Sequence, residues 1–361
     1  MYPKTIEYRR ALNTKIIDWI RRTVETQYPQ DVSLVVLYGS HVNGTDHHLS
    51  DVDCYFIPAN ERAYEFAQGF ILEGVGYDVF PISWERAGGI ADLQETLTPL
   101  IGEAQILYAR SDEDLRHFHA LQQRLQAHLA DESYCRGIAR GTMQKAATLC
   151  GDLMKAETSG RIRALAGWIA MWVADAVASW HQDYYHFGLK RQHQDLTTRF
   201  PGVPSELLRG YEAVMLAESD EDFRENALAL YRAACAYFGF PEEIPEGDEE
   251  PTPATPALQA QALAEHYEEI SSTFNKIYVC CETGNAVLAY ISAVCLDYAL
   301  NVEANELGFP PCQLLEVYNP RDLPQLAARA REIETALTDL IASGGGILHQ
   351  YDSFEAFAAR A

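Results

Sequence analysis

Apolar residues recur along this chain in two rhythms, and the change between them divides it. Over residues 4–28, Ile6, Leu12, Ile16, Ile17, Ile20 and Val24 fall at helical spacing, which predicts an amphipathic helix. The rhythm then shortens. Ser33–Tyr38 is a continuous apolar run, rich in β-branched residues and closed by Gly39, which predicts a buried strand. Val52–Ile57, stopped by Pro58, predicts a second strand, Gly76–Ile82 a third, and Ala104–Tyr108 a fourth at a sheet edge. Between the second and third, Asn60 is placed to cap a helix running to about residue 72.

After Ser111 the strand signals fade, and to about residue 240 the pattern is helical. Leu165, Trp168, Ile169, Trp172 and Ala176 follow the spacing of a buried helix face, so the tryptophans read as core. Residues 241–257, PEEIPEGDEEPTPATPA, read as an acidic, proline-rich linker. Proline cannot continue a helix, and six carboxylates without a base repel one another. Helical pattern resumes over Leu258–Asn301 and Asp322–Ser343, until Gly344-Gly345-Gly346 breaks it. The predicted fold class is therefore α/β plus all-α. A small mixed-sheet unit spans 1–110, a helical bundle 111–240, the linker 241–257 and a C-terminal helical segment 258–361. A chain of 361 residues suits two or three such packed units.

Charge changes what this architecture can bind. The formal net charge is −24, which disfavours nucleic acid and anionic membrane surfaces and favours cationic small molecules. The eight cysteines are scattered without a CxxC spacing, so zinc is not indicated. Cys150, Cys235 and Cys295 sit in apolar helical stretches and read as small core residues. The opening MYPKTIEYRR lacks an apolar signal-peptide region. The most apolar run, Ala164–Trp180, is short for a membrane span and is interrupted by Asp175, so it reads as a buried helix. A reduced, cytoplasmic protein is expected.

The chemistry concentrates after the first strand. Gly39-Ser40 follows it directly, then a nine-residue loop, then Ser50-Asp51-Val52-Asp53 opens the second strand. A glycine there lets backbone amides approach a ligand, and serine adds a hydroxyl. Such amides suit phosphate oxygens. Two aspartates two apart on a strand share one face, with Val52 turned to the core. Carboxylates side by side repel unless a cation lies between them, and Mg²⁺ is the natural one, preferring hard oxygens and phosphates. Asp78, a charge inside the apolar third strand, is the candidate third carboxylate. An Asp-x-Asp alone also occurs in calcium loops and on plain surfaces. The weight rests on the combination with the strand, the Gly-Ser turn and Gly44-Thr45.

That combination resembles the signature of the DNA polymerase β-like nucleotidyltransferase superfamily. Within it, the pattern is similar to the antibiotic nucleotidyltransferases that adenylylate aminoglycosides and lincosamides. The resemblance covers about residues 30–110. It implies that Gly39, Ser40 and Ser50 lie on the nucleotide, and that Asp51, Asp53 and Asp78 hold two Mg²⁺ ions. It also implies transfer of a nucleoside monophosphate, AMP from ATP on family grounds, to an acceptor hydroxyl. By the same analogy Lys190, in the charge-dense Tyr184–His193 segment, is the candidate cation on the triphosphate, weighed evenly against simple solvation. One departure is that Asp46, His47 and His48 stand where many relatives place Arg or Lys.

The remaining candidates have simpler readings. Arg136, Arg140 and Lys145 read as a solvated helix face, and His41, His47 and His48 as exposed loop histidines without a visible third ligand. Glu157, Asp175 and Asp183 are open as acceptor-activating carboxylates, and none can be assigned as the base. The acceptor itself is open between a small cationic hydroxyl compound and a hydroxyl of another protein. A non-catalytic, antitoxin-like nucleotide-binding module is the reading from a different class.

Overall fold

Thr5 starts the first helix by accepting a hydrogen bond from the Tyr8 amide. The computed structural model describes residues 5–248 and 255–360, so part of the sequence's acidic linker and of its opening segment lie outside them. Helix α1 (Ile6–Gln27) buries Leu12, Ile16, Ile20 and Val24, as their spacing predicts, and also Arg9 and Asn13. β1 (Val32–Tyr38) runs into the short α2 (Gly39–Asn43), and β2 (Asp53–Pro58) follows the loop. The helix expected from Asn60 to residue 72 is not formed. Asn60 caps only a 3₁₀ segment, Glu61–Phe66, and Gln68–Leu72 is a strand, β3. It makes a hairpin with β4 (Val75–Pro81) through Glu73 and Gly74, both at positive φ. That two-residue turn matches the strand twist and pulls residues 68–72 into the sheet.

Further along lie α3 (Trp84–Ala91), α4 (Pro99–Gly102) and β5 (Gln105–Ala109). The long helices α5 (Asp112–Ala130), α6 (Glu132–Lys155) and α7 (Ser159–Trp180) come next. They are followed by α8 (Gln192–Thr198), α9 (Ser205–Met215) and α10 (Asp220–Phe238). The last part holds α11 (Ala260–Thr283), α12 (Ala286–Tyr298), α13 (Ala304–Glu306), α14 (Leu323–Ser343), β6 (Gln350–Tyr351) and α15 (Phe354–Ala358).

The sheet is mixed and six-stranded, in the order β5-β1-β2-β4-β3-β6. β5 lies at the edge, as its sequence predicts. β2 and β4 pair in parallel, as do β3 and β6, and the other pairs are antiparallel. One face packs on α1 and on Phe357 of α15, which stacks on Phe70 at 4.2 Å. On the other face α3, α4 and α5 cover β5, β1 and β2. There α11 crosses β4 at Gly76, where a Cβ would overlap Ser271 and the Glu268 carbonyl. Glycine is therefore what lets this helix lie on the strand.

The helices share one large core, joining α6, α7 and α10 to α11, α12 and α14. The last hundred residues are thus split. Most pack with the bundle, while β6 and α15 return to the sheet. Trp168 and Trp172 lie partly buried against this core. Two helical runs, Ser159–Trp180 and Ala286–Glu306, have the length and apolarity of a membrane span. The first is 83% buried inside the protein over its most apolar window, the position of a core helix. The first half of the acidic segment lies against the bundle: Tyr231 donates to the Glu243 carbonyl at 3.1 Å, the Asp248 amide donates to Asp152 at 2.9 Å, and Lys155 pairs with Glu246.

Candidate active site

Gly39 sits at φ +73°, where β1 turns into α2. A Cβ there would overlap the Asp53 carboxylate, so only glycine permits this approach. The Ser40 amide donates to Asp53 Oδ2 at 3.3 Å. Val52 is 2% exposed in the core under α1, which leaves Asp51 and Asp53 directed together to the opposite side. The parallel register Cys54↔Val79 continues to Asp53 beside Asp78, so all three carboxylates share the sheet face that α11 covers.

A buried network holds the strand entrance from behind. Asn13 Nδ2 donates to the carbonyls of Ser50 and Asp51, at 3.2 and 3.1 Å, while the Tyr77 hydroxyl donates to Asn13 Oδ1 at 2.7 Å. Arg9 donates to Tyr77 and to the His48 carbonyl, each at 3.1 Å. Ser50 Oγ accepts from the His47 amide at 2.9 Å, and Arg10 grips Asp46 with two bonds of 2.7 and 2.8 Å. The loop's Asp46 is therefore spent on α1. His47 is not an exposed loop histidine. It is partly buried at the cleft wall, its Nδ1 accepts from the Leu49 amide, and burial pulls its pKa down to about 4. It is neutral at physiological pH.

Opposite this wall the chain brings cations from two distant places. Gly188, at φ +77°, turns the segment that carries Lys190 and Arg191, and α11 contributes Lys276. Lys190 donates to Thr273 Oγ1 at 2.7 Å, and Arg191 to the Thr45 carbonyl at 3.1 Å. The cleft between the walls encloses about 280 Å³, with Gly39, Ser40 and Ser50 on the same lining as Asp51, Asp53 and the cations. The predicted residues Gly39, Ser40, Ser50, Asp51, Asp53 and Lys190 thus come together. Lys276 and Arg191 were not singled out by the sequence. The signal for Lys276 is a lone cation among Phe274, Ile277 and Tyr278, too common in helices to stand out unaided.

Asp78 occupies the boundary. It lines a neighbouring cavity of about 410 Å³, with Glu265, Glu268, Glu269 and His349. Burial, and then the charges of Glu269, Asp51, Asp53 and Glu268, push its pKa up to about 8. Asp51 and Asp53 are also raised, first by burial. Their mutual repulsion adds to the Asp51 shift, while Lys276 pulls both down. None of the three makes an ion pair within 4 Å among the described residues. Nor do any three carboxylate, His or Cys side chains there gather closely enough to hold one metal ion. The fit to Mg²⁺ rests instead on Asp51 and Asp53, a hard-oxygen pair without a close countercharge. Mg²⁺ commonly takes one or two carboxylates and completes its shell with phosphate and water.

The other candidates fall elsewhere. Asp175 is partly buried on α7, raised to about 7 by burial with Lys145 as its countercharge, and it does not line either cavity. Asp183 joins His186, which also bonds Glu103 at 2.5 Å, so this cluster ties the sheet unit to the bundle. Glu157 is exposed. Arg136, Arg140 and Lys145 lie over the rings of Trp180, Phe240 and Trp172, at 4.9, 4.6 and 4.5 Å, so the stripe is packed on aromatics as well as solvated. In comparisons with known proteins, no protein-family model matches the chain and no curated protein matches it.

Proposed function

We propose that this protein is a Mg²⁺-dependent nucleotidyltransferase of the polymerase β-like type, and that it acts on a small, cationic hydroxyl acceptor. One observation carries the reading: two carboxylates without close countercharge face Lys190, Arg191 and Lys276 across a cleft floored by Gly39 and Ser40. A nucleoside triphosphate needs that division, because its phosphates must meet metal on one side and cations on the other. ATP is the donor proposed, by resemblance alone.

In this reading Asp51 and Asp53 hold Mg²⁺, which supplies charge neutralisation on the phosphates and polarises the bond to the leaving group. Gly39 gives the phosphates close approach, Ser40 and Ser50 offer polar contacts, and Lys190 meets the triphosphate tail. The acceptor enters through the cavity beyond Asp78, where Glu265 and Glu269 suit a protonated amine, Glu268 being buried against His349. Its hydroxyl oxygen bonds to the α-phosphorus, the bond from that phosphorus to the β-phosphate oxygen breaks, and pyrophosphate leaves. Asp78 takes the hydroxyl proton in its ionised form; with its pKa raised to about 8 by burial most of it is protonated at neutral pH, so turnover should rise with pH up to about 8. The cytoplasm, which supplies both ATP and Mg²⁺, is the compartment we propose.

The test incubates protein, Mg²⁺ and labelled ATP with a panel of hydroxylated amines, aminoglycosides included. Label should appear on a small acceptor, with pyrophosphate released. Asp53→Asn should lower that rate on the order of 10³-fold or more, as losses of essential groups do, while its melting temperature stays at or above that of the parent protein. Equal release by both proteins would sink the mechanism. Label on a protein band instead would move the acceptor to a protein hydroxyl, and nucleotide binding without turnover would favour a non-catalytic module.

A further inference from the structure

The cavity beyond Asp78 has two unlike sides. One is the acidic face of α11, where Glu265 and Glu269 stand one turn apart. The other is apolar, and part of it comes from the far end of the chain. Tyr351 of β6 and Phe357 of α15 line it together with Phe80 and Pro81 of β4.

The tail that brings Tyr351 there is fixed at several points. The Ile71 amide donates to the His349 carbonyl at 2.7 Å, and the Glu73 amide to the Tyr351 carbonyl at 2.9 Å. Phe357 packs on Trp19 and Phe70, with ring centroids at 4.7 and 4.2 Å. A further tie comes from α11. The Glu268 side is 1% exposed, and its carboxyl accepts from the His349 amide at 2.5 Å, with the imidazole Nδ1 3.2 Å away. Burying a carboxyl is costly, and strand pairing and ring packing already attach the tail to the sheet. What Glu268 adds is position. It draws residue 349 onto the helix, so the tail reaches from β3 to α11 and walls the cavity between them.

An apolar wall does not suit an acceptor that is polar all round. Stripping water from hydroxyls or ammonium groups against Tyr351 and Phe80 costs binding, whereas an apolar ring gains from the same contact. We propose that residues 349–357 form a wall of the acceptor site and select an amino alcohol with one apolar face. Its amine lies toward Glu265 and Glu269, its apolar face on Tyr351, and its hydroxyl toward Asp78, which shares the cavity. This rests on the nucleotidyltransferase reading of the cavity and narrows the acceptor from any cationic hydroxyl compound to an amphipathic one. Tyr351 sets the preference, and Glu268 is a positioning residue that acts through His349.

Titration calorimetry on the full chain compares two probes that differ only by a ring, phenylethanolamine and ethanolamine. The parent should bind phenylethanolamine about ten-fold more tightly or better, the gain from covering an aromatic ring. Tyr351→Ala should remove that preference and Tyr351→Phe should keep it. Glu268→Ala should also remove it, and should speed hydrogen exchange at the Ile71 and Glu73 amides by about ten-fold or more, as the tail loosens. Glu268→Gln, whose amide oxygen can still accept from His349, should recover most of both. Equal binding of the two probes by the parent overturns the proposal, and so does a preference that survives Tyr351→Ala. Unchanged exchange and preference in Glu268→Ala overturn the positioning role. Magnesium–ATP is titrated into the same parent protein. If it binds and neither amine does, the acceptor wall is overturned while the nucleotide reading stands. If the ring preference is present and magnesium–ATP does not bind, the nucleotidyltransferase reading fails while the wall stands as part of an amine site.

Discussion

The wall that carries Asp51 and Asp53 and the wall that carries Lys190 and Lys276 face one another across about 280 Å³, but they are held in different ways. Behind the carboxylates, Arg9, Asn13 and Tyr77 form a continuous buried network that fixes the backbone of residues 48–51. The cationic wall is a meeting of two separate segments, joined among the described residues by the hydrogen bond from Lys190 to Thr273. The first wall is preorganised by many bonds from one unit of the fold. The second depends on how the bundle and α11 sit against that unit. The carboxylate side should therefore stay rigid, whereas the cationic side should respond to anything that loosens the junction.

The largest expected effect tests the burial of a carboxyl, and the like charges around it, beside the first wall. Asp78 is raised to about 8, far above an unfolded aspartate. Below the unfolded pKa both states are protonated, and the carboxyl costs nothing. As pH rises toward 8 the unfolded state ionises first, so stability is lost progressively. Asp78→Asn removes that loss. Its stability advantage over the parent should be near zero at pH 4 and grow by up to about 1.4 kcal/mol per pH unit until about pH 8. Urea melts across that range measure it, and a pH-independent difference would show that Asp78 is not held neutral by its surroundings.

A smaller effect breaks the first wall directly. Asn13→Ala leaves the Ser50 and Asp51 carbonyls and the Tyr77 hydroxyl without their partner. The cost should be about 2–3 kcal/mol in urea unfolding, and on the proposed reading magnesium–ATP affinity falls with it, as Asp51 loses its fixed position. The smallest effect concerns the junction behind the second wall. Burial works against the charged form of His186, but its bonds to Asp183 and Glu103 outweigh burial and raise its pKa to about 9. A raised histidine contributes fully below its unfolded pKa near 6.5, and the contribution is lost as pH rises through about 9. His186→Gln should thus destabilise the protein by about 1–2 kcal/mol at pH 6 and hardly at all at pH 10. Unchanged pH dependence would mean that His186 does not join the two units electrostatically.

The carboxylate wall is legible in the sequence because its chemistry is local. A strand, a glycine and two aspartates at period two lie within residues 33–57, and spacing alone sets which way they face. Lys190 is legible only as a cation in a chain poor in them. Lys276 has no such cue, because what makes it unusual is the company of residues far away in the chain. The β3 strand is hidden by Asn60, whose capping is real but ends after one 3₁₀ segment, and by Glu73-Gly74, a hairpin turn without the usual Asn-Gly or Asp-Gly. β6 is two residues long, too short to carry a period at all. The offset of Asp78 into a second cavity follows from where α11 lands, which no strand pattern records.

The late arrival of β6 and α15 has a consequence for synthesis. During translation the outer edge of β3 stays without its partner until residues 350–351 have left the ribosome, and an unpaired strand edge is a template for wrong pairing. The nascent sheet must therefore wait, open on one side, through the making of the whole bundle. Lys276 is likewise absent until α11 has been made and seated on Gly76. A partly synthesised chain can display the aspartates long before the opposite wall exists, so the order of manufacture itself leaves the cleft unformed until α11 has been made.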